Sequence, residues 1–256
     1  MRAHPAISNE QWVRVTAAMA AATSRGPKGR DDKSFFEAIL WILRTGAPWR
    51  DLPEGFGKWS RSYRRFRRWA LAGRWETLRH SLRRAESKLV LIDSTIIKAH
   101  PHAAGALRRT GGQSAQALGR SRGGLTTKLH AAVSERGELV RYIVTAGQVN
   151  DVTQAGFLTE CGEGEVVVAD RAYDSDSLIQ HIEAGGRAAI IPSRSNRKVF
   201  RVIESVLYRR RNVIERWFGR LKGFRRVATR YEKTLASYVG VVATAAFVVA
   251  LSGWRA

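Results

Sequence analysis

Cysteine is almost absent from this chain of 256 residues, in which Cys161 is the single example. One thiol cannot form an internal disulfide bond or a zinc site with several cysteine ligands, so both are excluded. The scarcity is typical of proteins that work in a reducing cytosol, and the first residues show no signal peptide. We therefore expect a cytoplasmic protein.

Long hydrophobic runs are also scarce. The single candidate for a membrane span is "LASYVGVVATAAFVVAL", residues 235–251. It is short for crossing a bilayer, and it carries the polar residues Ser237 and Thr244. We predict a buried carboxyl-terminal helix and no membrane partner.

Acidic residues are few compared with basic ones. The chain has 22 Asp and Glu against 44 Lys and Arg, which gives a net charge of +22. Because the positive charge is spread along the whole chain, we expect a polyanionic partner, most simply nucleic acid. The alternative is a soluble basic protein without such a partner.

With 44% apolar residues, the chain can bury a substantial core, which excludes disorder throughout.

The first third of the chain predicts a small basic helical domain over residues 1–87. Aromatic residues recur at helical spacing between arginine pairs in "KWSRSYRRFRRWALAG". Aromatic residues at this spacing more often form a core than stack on bases, so we predict that Trp59, Phe66 and Trp69 are buried. The neighbouring cations are predicted to contact DNA phosphates: Arg64, Arg65, Arg67 and Arg68. A helix-turn-helix is the expected form of this domain.

From residue 88 the pattern predicts a strand, a hairpin turned at "ERGE", a helix, a strand, a helix, a strand and one long basic helix. Such alternation is typical of a mixed α/β sheet with helices on its faces. Residues 99–124 have no apolar period and predict a long mobile loop. In that loop, Arg120 and Arg122 either grip a DNA strand or become ordered only when DNA binds.

Two aspartates follow apolar runs that have strand character. Asp93 comes directly after "LVLI", and Asp170 comes directly after "VVVA". If these strands are parallel neighbours, both carboxylates point to one crevice at the ends of the strands. Each aspartate alone could equally start a turn or cap a helix.

A third carboxylate, Glu215, lies in the basic segment "YRRRNVIERWFGRLKGFRR", residues 208–226. On one continuous helix, Tyr208, Arg211, Glu215 and Lys222 would share a sector of roughly 60°. The spacing also allows an ion pair between Glu215 and Arg211 or Arg216.

Three carboxylates at one point would repel each other unless a cation neutralised them. Carboxylate oxygens are ligands that Mg²⁺ prefers, and two such ions about 3.5 to 4 Å apart can promote displacement at phosphorus. The cluster His100, His102 and His130 is an alternative set of ligands, but imidazole is a poorer match for Mg²⁺. We therefore favour Asp93, Asp170 and Glu215 as the metal ligands.

The spacing of Tyr208, Arg211, Glu215 and Lys222 resembles the Y-R-E-K signature of DDE transposases from bacterial insertion sequences. "RRNVIERWFGRLKGFRRVATRYEKT" resembles the IS-five family, part of the IS-four/five superfamily. "LIDSTIIKAHPHAAGA" and "VVVADRAYDS" resemble its two aspartate blocks, with Ala172 where glycine is usual.

This resemblance implies a ribonuclease-H-like catalytic domain over residues 88–256, including the carboxyl-terminal helix. It implies Asp93, Asp170 and Glu215 as the catalytic and metal-binding triad for two Mg²⁺ ions, for which Mn²⁺ can substitute. Tyr208, Arg211 and Lys222 are then expected at phosphates near the cut.

The implied partners are double-stranded DNA of the transposon ends and of the target, in the bacterial nucleoid, with at least a homodimer on DNA. The implied activity is cutting at terminal inverted repeats and strand transfer of the freed 3′-hydroxyl. Two alternatives stay open: a nuclease on the same core that cuts without joining, and a catalytically idle DNA-binding regulator derived from a transposase.

Overall fold

The computed structural model describes residues 7–22, 32–83, 87–106, 111–121, 123–160 and 164–252. In chain order, the helices are α1 (Asn9–Ala22), α2 (Asp32–Thr45), α3 (Trp59–Leu71), α4 (Arg74–Ser81), α5 (Val152–Thr159), α6 (Asp176–Ala184), α7 (Ser205–Arg209), α8 (Asn212–Lys222), α9 (Arg225–Ala228) and α10 (Leu235–Leu251). The strands are β1 (Leu89–Ala99), β2 (Gly119–Ser121), β3 (Gly124–Ser134), β4 (Leu139–Ala146), β5 (Val166–Val168), β6 (Ala188–Ile190) and β7 (Thr229–Arg230).

The chain divides into two compact units that are interleaved in sequence. The first, which we call the helical unit, consists of Met1–Arg83, Ala99–Thr110 and Arg220–Gly253. The second, the sheet unit, consists of Arg84–Lys98, Gly111–Gly219 and Trp254–Ala256. Each unit is therefore completed by segments that are distant in the sequence.

The core of the helical unit is aromatic. Phe35 and Phe36 on α2 contact Trp69 on α3, with ring centroids 5.3 and 6.0 Å away. Phe66 and Trp69 are buried, as the helical spacing predicts. Trp59 differs from the prediction because it stays partly exposed at the first turn of α3, where fewer elements cover it.

Helix α10 belongs to the helical unit and packs on α3 and α4. A Cβ atom at Gly240 would lie only 2.6 Å from the Cβ of Ala70, so glycine permits the close approach of α10 to α3. The predicted buried helix over residues 235–251 is confirmed. Every helix among the described residues is too short or too polar to cross a membrane.

The strand order of the sheet unit is β2, β3, β1, β5, β6, and β4 also pairs with β3. β1 is antiparallel to β3 and parallel to β5, with Leu91 opposite Val168. β3 and β4 form the predicted hairpin, which turns through Gly137 at a φ of 75°. The sheet is therefore mixed and flanked by helices, as predicted, and it brings the two aspartate-bearing strands side by side.

One face of the sheet packs against α5 and α6. Val90 and Val167 from the strands meet Leu158 of α5 and Ile182 of α6, and all four are buried. Burying four such aliphatic side chains contributes on the order of 1.5–3 kcal/mol each relative to leaving them exposed. This packing fixes the two strands that carry the aspartates.

Two predicted elements differ from the structure. β1 does not end before Asp93 but continues to Ala99, because β3 goes on pairing with it as far as Lys98 opposite Thr126. Residues 99–124 are not one loop, because β2 pairs with β3 at Arg120 opposite Leu125.

The long basic helix of residues 208–226 is also a wrong prediction. It is broken into α7, α8 and α9. The amides of Arg210 and Arg211 donate to carbonyls three residues back, at 3.0 Å in each case, and this tighter pattern interrupts the helix.

The predicted domain boundary between residues 87 and 88 stays a prediction. The assignment of the carboxyl-terminal helix to the second domain stays a prediction with it. The apolar surface of α10 is buried against α3 and α4 of the helical unit, a long-range contact that the sequence pattern does not specify.

Candidate active site

Asp93 lies in the middle of β1, at the centre of the sheet unit. Its Oδ1 accepts a hydrogen bond of 2.7 Å from the backbone amide of Ser94. The pKa of Asp93 is raised to about 6. Burial is the main cause, the Ser94 amide and Arg211 oppose it, and the nearby carboxylates of Asp170 and Glu215 add to it. The predicted triad is therefore electrostatically coupled, because two of its members act on the third.

Asp170 follows β5 by two residues, just as Asp93 follows Leu91 by two residues in β1. Since Leu91 pairs with Val168, parallel pairing brings both aspartates to the same level of neighbouring strands. The Oδ1 of Asp170 accepts a 2.8 Å hydrogen bond from the amide of Ala172 and so caps the short turn that follows. Asp170 thus combines the turn-starting role with a position beside Asp93.

Arg211 bridges the first and third carboxylates. Its guanidinium donates to Oδ2 of Asp93 at 3.2 Å and also to Oε1 of Glu215 on the first turn of α8. The ion pair between Arg211 and Glu215 that the spacing allowed is therefore present. Asp93 and Arg211 are each about one-fifth exposed, whereas Glu215 is half exposed. Its carboxylate therefore remains accessible to solvent.

Of the other two members of the signature, Tyr208 is placed differently from the prediction, whereas Lys222 lies on the same helix as Glu215, as predicted. Tyr208 lies on α7, before the break, so it does not share a continuous helix face with Glu215. It still lies close enough to Arg211 to contribute to a raised pKa of that guanidinium. Lys222 ends α8 within the helical unit, where burial lowers its pKa.

The described residues contain no group of three or more His, Cys, Asp or Glu side chains arranged to hold a metal ion together. Arg211 instead supplies the positive charge between Asp93 and Glu215. All the acceptor atoms of the predicted triad are carboxylate oxygens, which suit a hard divalent cation. The chemistry of these oxygen ligands therefore fits Mg²⁺. In this structure, the guanidinium of Arg211 holds the carboxylates of Asp93 and Glu215.

Next to Asp93 lies a layer of polar side chains that the sequence did not predict. The hydroxyl of Ser94 donates to Oδ1 of Asp151 at 2.7 Å, and Nζ of Lys128 donates to the same atom at 2.9 Å. Asp151 directly precedes α5, but its side chain makes no capping hydrogen bond there. The alternation of β3, which places Lys128 and His130 on one face, is the sequence signal that hints at this layer.

His130 and Tyr173 complete that layer. Burial lowers the pKa of His130 to about 4, although Asp151 opposes the shift, so the imidazole is neutral near pH 7. Its Nε2 lies 2.9 Å from the hydroxyl of Thr145. Burial raises the pKa of the Tyr173 phenol, and Asp151, Asp93 and Asp170 raise it further.

The histidines His100 and His102 lie in the helical unit and interact with each other. Nδ1 of His100 accepts a hydrogen bond from the amide of His102 at 3.2 Å, and the two ring centroids are 4.4 Å apart.

The predicted DNA-binding cations fall into three groups. Arg64, Arg67 and Arg68 on α3 are exposed, and so is Arg120 on β2. Arg65 differs, because it is ion-paired with Asp32 and its guanidinium lies 4.2 Å from the ring centroid of Phe35. Arg122 lies outside the described residues.

The chain is similar to known transposases over most of its length. Residues 84–248 match the model described as "Transposase DDE domain", and residues 7–79 match "Putative transposase of IS4/5 family". A "Putative transposase for insertion sequence element IS6501" of Brucella ovis is 38% identical over 46% of this chain and 92% of its own length. An uncharacterized protein of Sinorhizobium fredii is 39% identical over 43% of this chain and 90% of its own length.

Among solved structures, a piggyBac transposase synaptic complex with hairpin DNA has a TM-score of 0.36 and 14% identity. It is matched over 75% of this chain and 43% of its own. A likeness at this level supports no inference about residues.

Proposed function

The chain belongs to the DDE transposases of the IS4/5 family, and on this premise we propose that it cuts DNA at the terminal inverted repeats of its insertion sequence and joins the freed ends to target DNA. The observation that carries the proposal is the bridge that Arg211 makes between Asp93 and Glu215. It joins the first and third acidic blocks, which are distant in sequence, at one point beside Asp170.

The triad of this proposal is Asp93, Asp170 and Glu215, which would hold two Mg²⁺ ions. When bound, such ions supply charge neutralisation at phosphate oxygens and lower the pKa of a coordinated water. The raised pKa of Asp93 supports this assignment, because the carboxylate is costly to ionise without a nearby positive charge.

Arg211 has a second role in the proposal. A guanidinium can form paired hydrogen bonds with a phosphate as well as with a carboxylate. In the arrangement seen here it neutralises Asp93 and Glu215. On DNA, it would turn to a phosphate oxygen beside the cut, and Tyr208 and Lys222 would hold neighbouring phosphates.

The reaction consists of two displacements at phosphorus. In the first, a water oxygen bonds to the phosphorus at the transposon end, the bond to the 3′-oxygen breaks, and that oxygen takes up a proton. In the second, this 3′-hydroxyl loses its proton as it bonds to a target phosphorus, and the target 3′-oxygen leaves. Because the second step exchanges one phosphodiester for another, it needs no ATP.

DNA binding in the proposal rests on exposed cations. Arg64, Arg67 and Arg68 of the helical unit carry no ion pair among the contacts of the described residues and are available to phosphates of the inverted repeat. Arg120 and Arg122 would hold a strand near the sheet unit. Pairing two transposon ends requires at least two copies of the chain on DNA.

The test uses Asp93→Asn and Glu215→Gln on a duplex that carries one transposon end. We expect both variants to bind this duplex as the parent chain does and to lose nicking and joining with Mg²⁺. Glu183→Gln is the matched control, because Glu183 is an exposed carboxylate on α6 away from the triad. Full activity in either triad variant contradicts the assignment.

A pre-nicked end separates the transposase from the alternatives. Joined product from this substrate shows strand transfer, whereas cutting of the intact end without joining indicates a nuclease. Binding with neither activity in the parent chain indicates a DNA-binding regulator.

A further inference from the structure

The helical unit contains a groove that the proposed chemistry does not use. Two cavities of about 450 and 900 Å³ adjoin each other there. They share six lining residues: Pro48, Trp49, Arg50, Arg226, Tyr231 and Lys233. We call the combined space the aromatic groove.

Aromatic rings line this groove and remain partly exposed. Trp49, Trp59, Tyr63 and Tyr231 all belong to this set, in contrast to the buried Trp69 and Trp75 of the same unit. Trp49 and Tyr63 lie with their ring centroids 5.4 Å apart and tilted by 56°. The rings are therefore not all covered by the core, and their remaining surface faces the groove.

Cations accompany the rings. Arg50, Arg67 and Lys233 line the groove and are exposed. Among the described lining residues, Glu232 is the single carboxylate, and it is buried in an ion pair of 2.7 Å with Arg226. The charged side chains available to a molecule bound in the groove are therefore positive.

A DNA duplex presents phosphates that could bind these cations. Its bases are stacked on each other, however, so they cannot stack on the aromatic side chains of the groove. A single strand offers both phosphates and free base faces, and aromatic residues beside cations are the usual means of binding it. We propose that the aromatic groove binds an unpaired stretch of single-stranded DNA. Its bases stack on Trp49 and Trp59, and its phosphates lie on Arg50 and Lys233.

This inference goes beyond the proposed function, which concerns cutting and joining at duplex ends. Binding to the groove needs neither the triad nor a metal ion. It is therefore measured with the full chain carrying Asp93→Asn, in buffer with EDTA, so that its failure is distinct from a failure of catalysis.

The probe is a short fluorescein-labelled oligothymidine, followed by fluorescence anisotropy. We expect Trp59→Ala to weaken binding by about tenfold or more, since one stacked base contributes at least that much. Trp59→Phe keeps a ring and should retain most of the affinity. Binding of the parent chain should quench tryptophan fluorescence, and Trp59→Ala should reduce that quenching.

Substitutions of the cations leave Trp59 in place, so they test the proposal independently of any effect that replacing Trp59 has on folding. Lys233→Ala and Arg50→Ala remove exposed cations of the groove, and Arg61→Ala removes an exposed cation of α3 that does not line it. We expect the first two to weaken oligothymidine binding severalfold more than the third. Circular dichroism checks that each variant is folded.

Two results overturn the proposal. One is equal loss of affinity in Arg61→Ala and the groove variants, because the binding is then non-specific attraction to net charge. The other is competition by an unlabelled duplex as strong as that by the unlabelled single strand, together with unchanged binding in Trp59→Ala. That result identifies the groove as a surface for duplex phosphates.

Discussion

The hydroxyl of Ser94 donates a hydrogen bond of 2.7 Å to Oδ1 of Asp151, and this contact ties the strand that carries Asp93 to the residue preceding α5. Lys128 donates to the same carboxylate oxygen at 2.9 Å and to the carbonyl of Val149 at 2.7 Å. The residue next to Asp93 is therefore held by the ion pair between Lys128 and Asp151.

Removing Lys128 should destabilise the sheet unit. Lys128→Met leaves Asp151 with a largely desolvated and unpaired charge, so we expect a loss of about 2 kcal/mol in the free energy of unfolding. Urea denaturation measures this loss. The double variant Lys128→Met with Asp151→Asn should recover part of it, because no unpaired charge remains.

The pair of Arg141 and Glu160 provides a control, because it is separated by 3.9 Å and is more exposed. Glu160→Ala should change stability by less than about 1 kcal/mol. Equal losses in the two cases would refute the claim that burial gives the Lys128 pair its importance.

Asp93 should lower the stability of the metal-free chain near neutral pH. Burial raises the pKa of this carboxyl to about 6 in the folded state, above its ordinary value near 4. The protonated group therefore favours the folded state below about pH 4, and this advantage is lost as the pH rises through 6. We expect Asp93→Asn to raise the melting temperature at pH 7 in EDTA, and to have little effect at pH 4.

A carboxyl-carbon NMR titration measures the same group directly. Glu215→Gln should lower the pKa of Asp93, since it removes a nearby negative charge, and Arg211→Gln should raise it. A pKa of Asp93 that stays the same in both variants would contradict the coupling of the triad.

His130 should contribute an opposite pH dependence. Burial lowers its pKa to about 4, whereas the unfolded chain has the ordinary value of 6.5. Because the unfolded state binds the proton more readily, stability should fall as the pH drops from 6.5 through 4. His130→Gln should flatten this part of the profile, and the difference between variant and parent separates it from the effect of Asp93.

Asp174 should hold the segment between β6 and α7. Its side chain is fully buried, and it accepts hydrogen bonds from the side chains of Arg197 and Arg201 and from the amide of Arg194. We expect Asp174→Ala to cost about 3 kcal/mol and to accelerate hydrogen exchange in residues 192–204. Asp176→Asn is the matched control, because Asp176 meets the same two arginines from an exposed position.

The pH dependence of this contact follows from its pKa. Burial alone would raise the pKa of Asp174, but the hydrogen bonds from Arg197, the Arg194 amide and Arg201 outweigh it and lower the pKa to about 2. The stabilisation is therefore present above about pH 4 and is lost as the pH falls through 2. An acid unfolding profile that is unchanged in Asp174→Asn would show that this aspartate does not contribute.

The acidic blocks and the hairpin could be predicted because they are local signals: apolar runs that end in aspartate, alternation across β3 and β4, and the spacing around Glu215. The position of Asp93 within a longer strand could not, because it depends on how far β3 pairs with β1. The bridge from Arg211 to Asp93 joins residues 118 positions apart, and the ion pair of Lys128 with Asp151 also depends on tertiary packing. Local periodicity does not encode such contacts.

The place of α10 on α3 and α4 has a consequence for how the chain is made. The guanidinium of Arg14 donates to the carbonyl of Leu251 at 2.6 Å, and Gly240 lies against Ala70, so segments more than 150 residues apart complete one core. A ribosome releases α1 to α4 long before α10 is synthesised. The helical unit therefore cannot finish folding until α10 has been made, and a fragment that stops before α10 should be insoluble or partly unfolded.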